Sequence, residues 1–212
     1  EQLRGSGDDL RTFFYFLREH PSAWSRNCFG RRVPGSEVTD YGGCPSQSYR
    51  LALRVCAMGG LNSVDVAQAT HESILKSYGL MSEKHVLRYP SLPADTSLME
   101  GVYIDDHLVV ARLPTRLVGL PTGPDRDAIE ASHRAYEAAG LRRAPDKAFG
   151  FATEGTSHEP SCGDTQFSAW GTHVHSQMGM VGPPIQKRFT LSLLGLRFAS
   201  LKHVSKKLVQ QM

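Results

Sequence analysis

The feature that most constrains the fold is a pair of apolar runs, residues 98–104 and 108–113, separated only by Asp105, Asp106 and His107. Such a short polar interruption predicts a tight β-hairpin with both acids at its tip. Adjacent carboxylates at an apolar tip are costly unless a cation neutralises them. Mg²⁺ or Mn²⁺ would do so, because hard oxygen ligands suit those ions. The alternative is an ordinary acidic turn, since Asp is common in turns.

Two helices are predicted in the body of the chain. Apolar residues recur at helical spacing over 63–78, with Ser63 as a plausible N-cap and Gly79 as a plausible stop. A second helix is predicted over 125–139, between a proline and a glycine.

The remaining elements are predicted from composition and from turn signals. Aromatic residues dominate 9–18 and predict a strand, whereas the Gly, Pro, Ser and Arg of 19–50 predict loops with short strands. Further strands are expected near 148–153 and 166–174, and basic helices over about 186–200 and 205–211.

The order of these elements predicts the α+β class, with an antiparallel sheet backed by helices. A doubly wound α/β fold would need regular alternation and a Gly-rich strand-to-helix turn, and the sequence has neither. The chain has 212 residues, 40% of them apolar, which is enough for one domain with a small appendage.

A second acid-bearing strand is predicted to complete the site. Asp9 opens the aromatic run, and Asp8 lies beside it and could be mistaken for the site residue. The alternative is that both acids merely cap the strand. Carboxylates from two strands can hold two divalent ions, which clamp the attacking and leaving oxygens of an in-line displacement at phosphorus. We therefore expect Asp9 to lie beside Asp105 and Asp106 on an adjacent strand.

Five short motifs carry a resemblance to a known family. Asp9-Leu-Arg-x-x-Phe14, residues 58–68 (MGGLNSVDVAQ) and Tyr103-Ile-Asp-Asp106 resemble, in order, motifs A, B and C of reverse transcriptases. Gly140-Leu141 with residues 146–149 resembles motif D, and residues 167–174 resemble the primer grip of motif E. Motif B is similar to that of gypsy-like and DIRS-like retrotransposons, although Val64-Asp65 stands where many relatives have Pro and a small residue.

The resemblance implies a role for each matching residue. Asp9, Asp105 and Asp106 would bind two Mg²⁺ or Mn²⁺ ions, and Lys147 would act on the leaving pyrophosphate. Phe14 would exclude the 2′-hydroxyl of an rNTP. Four further residues would contact the nucleotide: Gly59, Asn62, Gln68 and Tyr103. Seven others would contact the primer–template: Trp170, Gly171, Lys187, Arg188, Lys202, Lys206 and Lys207. Without the resemblance, Phe14 and Trp170 are read as core aromatics, and Gln68 and Lys147 as solvated side chains.

The resemblance also implies a domain organisation and partners. Residues 1–175 would form a polymerase palm with finger-like insertions at 19–50, and residues 176–212 part of a helical thumb, with the fingers largely missing. The partners would be an RNA or DNA template, a DNA primer and dNTPs, with fingers, RNase H and an integrase or recombinase in a parent polyprotein. The location would be intracellular, cytoplasmic or nuclear, because the sequence shows no leader and no membrane-length apolar run.

Charge and cysteine usage leave three alternatives open. The net charge is +3, and no Asp or Glu follows Asp164, so the basic end suits a phosphate backbone or is simply a solvated helix face. One alternative is a transition-metal hydrolase that uses His158, Cys162, His173 and His175, although no C-x-x-C pair is present. The others are a catalytically inactive nucleic-acid-binding remnant and a viral-type RNA polymerase, the latter opposed by Tyr103 and Phe14.

Overall fold

Antiparallel β-sheets and α-helices make up the part of the chain that the structure, a computed structural model, describes: residues 1–88, 95–153 and 163–200. The strands are β1 (Gln2–Asp9), β2 (Cys28–Pro34), β3 (Ser48–Ala52), β4 (Leu98–Tyr103), β5 (Asp106–Leu113), β6 (Gln166–Ala169), β7 (Thr172–His175) and β8 (Met180–Gly182). The α-helices are α1 (Ser63–Lys76), α2 (Pro124–Ala138) and α3 (Ile185–Ala199). The predicted α+β class with antiparallel sheets is confirmed.

The central sheet has the order β1-β5-β4, with both pairings antiparallel. The predicted hairpin is β4–β5, and its tip is the two-residue turn Ile104-Asp105. The alternating face of β5 buries Val109, Ala111 and Leu113, so apolar burial fixes the hairpin's orientation.

Helices α1 and α2 cover one face of the central sheet. Their buried residues recur three or four positions apart, which is the spacing of one helix face. The core between helices and sheet includes Leu10, Phe13, Leu75, Val109 and Ile129. Both predicted helices are confirmed, but Ser63 is the first helical residue of α1 and Asn62 precedes it as the N-cap.

The opposite face of the sheet carries a second apolar layer. Strands β6, β7 and β8 form a three-stranded antiparallel sheet. Phe167 and Val174 of that sheet pack with Leu108 and Val110 of β5. The central sheet is therefore covered on both faces, and the grip-like segment 167–174 lies next to β5.

The predicted strand at 9–18 is wrong. The strand ends at Asp9, and a 3-10 helix follows at Phe13–Phe16 after Thr12, which has a φ of 56°. The aromatic run is thus a turn of helix that buries Phe13, because a chain leaving the sheet at Asp9 must fold back onto the core.

Two other segments differ from expectation. Residues 148–153 were expected as a strand but form a 3-10 helix, Gly150–Ala152, in which Gly150 has a φ of 62°. Only Phe149 keeps strand-like pairing, through two backbone hydrogen bonds with Gly7. Within 19–50 the expected short strands are confirmed as β2 and part of β3, while a helix at 205–211 would lie outside the described residues.

The last described helix, α3, has no buried residue. None of the helices in the described ranges combines the length and the apolar character that a membrane span requires.

A buried ion pair ties β1 to α2. The guanidinium of Arg4 donates to both carboxylate oxygens of Asp125, each at 2.7 Å, and both side chains are fully buried. The remaining N–H groups of Arg4 donate to the carbonyl oxygens of Val118, Leu120 and Thr122. Every donor of this charge is satisfied, which is the condition under which a buried ion pair is tolerated.

We predict that Arg4→Met destabilises the chain by about 3–5 kcal/mol, because it leaves the Asp125 carboxylate buried without its partner. Denaturant unfolding measures the change in the free energy of unfolding. Arg126→Met is the matched control, because it removes an exposed arginine of α2 that pairs with Glu130, and it should cost less than about 1 kcal/mol. Equal losses in the two variants would contradict the assignment.

Candidate active site

Three carboxylates meet where β1 ends and β5 begins. Asp9 is the register partner of Asp106 on the neighbouring antiparallel strand. The backbone carbonyl of Asp105 accepts a hydrogen bond of 3.0 Å from the amide of Leu10. The expectation that Asp9 lies beside Asp105 and Asp106 on an adjacent strand is therefore confirmed.

The neighbouring Asp8 points to the opposite face of the sheet, as strand alternation requires. It is only 3% exposed, and its carboxylate lies 3.0 Å from His133 Nε2 and 3.6 Å from Arg143 Nη1. Asp8 is thus bound on the helix side, which leaves Asp9 as the acid of β1 that faces Asp106. Sequence reasoning missed His133 and Arg143, because neither belongs to a motif near Asp8.

The turn that carries Asp105 is strained. Ile104 has a φ of 60°, a left-handed conformation that β-branched residues rarely adopt. A positive φ at the first position only of a two-residue hairpin turn is the type II′ pattern, which favours glycine there. Strain of about 1–3 kcal/mol of this kind persists only where the surroundings enforce it, and such residues cluster at functional sites.

Gln68 of α1 is one of the groups that enforce it. Its side-chain oxygen accepts from the amide of Ile104 at 2.8 Å, and its nitrogen donates to the carbonyl of Val102 at 2.9 Å. The same nitrogen lies 3.0 Å from Glu72 Oε1. The amide of Gln68 is therefore bonded to the turn between β4 and β5. The nucleotide contact that the resemblance implies for Gln68 stays a prediction.

Burial and the neighbouring carboxyl groups shift the protonation of Asp105 and Asp106. Burial, a hydrogen bond to Asp9 and the charges of Asp9 and Asp105 raise the pKa of Asp106 to about 6. Burial is also the main cause that raises the pKa of Asp105. Crowded carboxyl groups of this kind become more acidic when a cation sits between them.

Lys147 already supplies one positive charge. Its ammonium lies 2.7 Å from Asp9 Oδ2 while the side chain is 58% exposed. The hydrogen bond to Asp9 raises the pKa of Lys147, so the ammonium stays charged. The structure therefore brings together all four residues predicted to carry the chemistry: Asp9, Asp105, Asp106 and Lys147.

The donor set fits Mg²⁺ or Mn²⁺, because its three carboxyl groups supply hard oxygen atoms and two of them have raised pKa values. Within the described ranges, no group of three or more His, Cys, Asp or Glu is arranged to hold a metal ion. Lys147 occupies Asp9 Oδ2, so a cation bound to that oxygen would replace its ammonium.

Two cavities flank the acids. One of about 190 Å³ is lined by Asp9, Arg11, Asp105, Asp146 and Lys147, among others. The other, of about 130 Å³, also touches Asp9 and Lys147 but extends along the strands toward Ser168 and Trp170. The acids thus stand between a cavity lined by both acidic and basic side chains and a second cavity that reaches the hairpin β6–β7.

The residues expected beside the nucleotide lie on the elements around the turn. Phe14 is half-buried and packs against the main core. Gly59 is exposed with a φ of 86°, which explains a glycine there. Asn62 is exposed at the start of α1, where its side chain makes no capping hydrogen bond. Tyr103, 60% exposed, precedes the turn.

The grip-like hairpin β6–β7 faces the hairpin β4–β5. Its turn residues Trp170 and Gly171 both have positive φ values, 49° and 74°, which is the type I′ pattern. The ring of Trp170 lies 6.5 Å from that of Tyr103. Trp170 is 40% exposed, so the reading of this residue as buried core is wrong.

Only part of the predicted basic surface can be located. Lys187 and Arg188 stand in the exposed first turn of α3, and Lys187 Nζ lies 3.3 Å from the point where a Cβ on Gly171 would be. Lys202, Lys206 and Lys207 lie outside the described residues.

A second basic surface was missed by sequence reasoning. The arm formed by β2 and β3 exposes Arg31, Arg32 and Arg50, and the 3-10 helix Pro21–Asn27 just before it exposes Arg26. Among the described residues, none of these four arginines has a salt-bridge partner. The signal available in the sequence was the number of arginines in 19–54, which the turn-rich composition of that segment obscured.

Two of the four residues of the alternative transition-metal site lie within the described residues. The rings of His173 and His175 stack with centroids 4.3 Å apart on one face of β7. His158 and Cys162 lie outside the described residues, so the other two proposed ligands cannot be added to this pair.

A scan against models of known protein families finds no match for this chain, and a search of curated proteins finds none either.

We predict that Asp106→Asn stabilises the metal-free chain above pH 6. The pKa of Asp106 is raised to about 6 in the folded state, so the stability this carboxyl contributes is present at low pH and is lost as pH rises through about 6. At pH 7.5 the variant should gain about 1 kcal/mol, or about 2–4 °C in Tm, because solvent screens this partly exposed group.

Thermal unfolding at pH 4 and pH 7.5 in EDTA measures the effect. The gain should vanish at pH 4, where wild-type Asp106 is protonated. Asp127→Asn, on the exposed face of α2, is the control and should show no such pH dependence. A variant less stable than wild type at pH 7.5 would contradict the repulsion inferred here.

Proposed function

We propose that the chain is the palm, with part of the thumb, of a reverse transcriptase, an RNA-directed DNA polymerase of a retroelement. The observation that carries the proposal is the pairing of Asp9 with Asp106 on adjacent antiparallel strands, with Asp105 in the turn between β4 and β5. A polymerase of this kind needs acids from two separate chain segments at one point. The order of the five motif-like segments along the chain supports the same proposal.

Asp9, Asp105 and Asp106 are the residues that would hold two Mg²⁺ or Mn²⁺ ions. Bound there, the ions would make the primer 3′-hydroxyl more acidic and neutralise the triphosphate. For its part, the chain supplies carboxylates crowded enough to favour a cation, on strands whose register is fixed by the sheet.

Lys147 has a second role in this proposal. Its ammonium holds Asp9 at 2.7 Å in the described state, yet the side chain is largely exposed and free to turn. When cations take over Asp9, the ammonium can pair with the phosphate oxygens of the leaving pyrophosphate and donate a proton or a hydrogen bond as charge develops there.

The nucleic acid would lie along the exposed aromatic and basic groups near the acids. Trp170 and Gly171 form a rigid turn beside Tyr103 and are proposed to contact the primer. Lys187 and Arg188 would contact the phosphates, so that binding weakens steeply with salt. We propose an intracellular setting, with fingers, RNase H and integrase or recombinase domains as partners in a longer polyprotein.

A nucleic-acid-binding remnant without catalysis is the second candidate. The observation that favours it is the ion pair of Lys147 with Asp9, which occupies one carboxylate oxygen of the proposed metal site. A remnant would keep the salt-dependent binding of primer–template and lose extension.

Primer extension on poly(rA)/oligo(dT) with Mg²⁺ or Mn²⁺ tests the proposal. Wild-type chain should extend the primer, and Asp105→Asn should lower the rate by at least about 100-fold, because a ligand of the charge-stabilising site is neutralised. Asp127→Asn should retain full activity. Binding of primer–template without extension by wild type would favour the remnant, and extension by Asp105→Asn at the wild-type rate would refute the two-ion site.

Phe14→Ala tests the choice of sugar. If Phe14 blocks the 2′-hydroxyl, the variant should accept rNTPs about 10- to 100-fold better relative to dNTPs, the range that steric exclusion of a small group provides. Single-nucleotide incorporation gives the ratio of kcat/KM for dTTP and UTP. Tyr15→Ala removes the adjacent, more exposed aromatic and should leave the ratio unchanged, whereas a shift of equal size in both variants would argue against a gate at Phe14.

A further inference from the structure

A buried histidine that no motif contains is bonded to the catalytic turn. His71 lies on α1 and is fully buried. Its Nδ1 atom is 2.9 Å from the carbonyl oxygen of Ile104, and its Nε2 atom is 2.9 Å from the hydroxyl of Tyr136 on α2. Both ring nitrogens are therefore in use, one toward the turn and one toward the second helix.

These partners fix which nitrogen of His71 carries the proton. A carbonyl oxygen only accepts, so Nδ1 must donate to Ile104, and Nε2 is left to accept from the hydroxyl of Tyr136. Burial lowers the pKa of His71 to about 4, so the ring is neutral at physiological pH. The opposite tautomer would point the lone pair of Nδ1 at the Ile104 carbonyl and lose the hydrogen bond to the turn, while Nε2 could still donate to the Tyr136 hydroxyl.

The bond from His71 completes a clamp on one strained residue. Gln68, one helical turn earlier on the same face of α1, accepts from the amide of Ile104 at 2.8 Å. His71 holds the carbonyl of the same residue. Helix α1 thus binds both backbone groups of the residue with a φ of 60°, which immediately precedes Asp105.

We propose that His71 and Tyr136 are positioning residues for the turn that carries the acids: His71 holds Ile104 so that Asp105 and Asp106 face Asp9, and Tyr136 bonds the second ring nitrogen and fixes the orientation of the imidazole. This inference rests on the proposed two-ion site, but neither residue touches a cation or a substrate. It makes the geometry of the acids depend on the contact between α1 and α2.

A purely space-filling role does not account for the pair. An imidazole and a phenol buried together cost free energy unless each polar atom is bonded, and an apolar pair of similar volume would avoid that cost. The bonds end on the backbone of the one strained residue of the turn, where a donor has a specific use. Residues that orient metal ligands indirectly in this way typically change metal affinity about 10- to 100-fold when replaced.

Three substitutions test the two hydrogen bonds of His71 one at a time. His71→Leu fills the space without a donor, His71→Asn places an amide nitrogen near the position of Nδ1, and Tyr136→Phe removes only the hydroxyl. Two quantities are measured on the whole chain: hydrogen–deuterium exchange of the peptide that contains Ile104, in EDTA, and the affinity for Mn²⁺ by electron paramagnetic resonance. Leu75→Val, one turn further along the buried face of α1, controls for loss of core packing.

We expect His71→Leu to exchange at least about tenfold faster at the turn and to bind Mn²⁺ about tenfold more weakly. Tyr136→Phe should give a smaller loss, and His71→Asn should stay within about threefold of wild type, because it keeps the donor to Ile104. Leu75→Val should leave the Mn²⁺ affinity unchanged. In an Ile104→Gly background, where the positive φ carries no strain, the effect of His71→Leu should shrink to less than about twofold.

Wild-type exchange and Mn²⁺ affinity in a folded His71→Leu variant would overturn the inference, as would an equal loss in Leu75→Val. Failure of the wild type to bind Mn²⁺ at the three acids would overturn it too. A wild type that binds Mn²⁺ with the expected variant effects, but does not extend a primer, would refute the polymerase proposal and leave the positioning role intact.

Discussion

The register of β1 against β5 is the constraint on which the site depends. Side chains alternate along a strand, so a slip of one residue would put Asp8 beside Asp106 and turn Asp9 toward the helices. The buried pair of Arg4 with Asp125 prevents that slip, because Arg4 and Asp8 share the helix-facing side of β1. The other edge of β1 is also occupied, through hydrogen bonds of Gly5 with Asp164 and of Gly7 with Phe149, so the strand is held from both sides.

The same strand shows why part of the fold could not be predicted. The hairpin and both core helices follow from apolar spacing, but β1 reads QLRGSGDD, with no β-branched or aromatic residue, so it lacks the usual strand signal. Its glycines have a different cause: a Cβ on Gly5 would meet the ring of Phe167, and one on Gly7 the ring of Phe149. Those contacts join segments more than 100 residues apart, which no local pattern reports, and the prediction therefore placed the strand on the aromatic residues that follow.

The candidate site, like the fold, could be predicted only in part from the sequence. The acids could be predicted, because adjacent carboxylates at an apolar tip are unusual in themselves and their partner strand could be guessed. The residues that hold the acids could not be, because a histidine on a helix face looks like core, and the role of His71 depends on Ile104, 33 positions away. Gln68 stands between the two cases, since its place in a motif predicts a ligand contact, whereas the bonds of its amide to the turn could not be predicted from the sequence.

Backbone strain and crowded charge coincide around the acids. Ile104 and Trp170 both have positive φ values, and they stand at the tips of two hairpins that meet through Tyr103 and Trp170. Next to them, burial and then the neighbouring carboxyl groups of Asp9 and Asp105 raise the pKa of Asp106 to about 6. A stable fold would be expected to lose such features unless a ligand compensates for them. Fully bonded groups on the helix side, Arg4 with Asp125 and His71 with Tyr136, stabilise the frame that holds the acids.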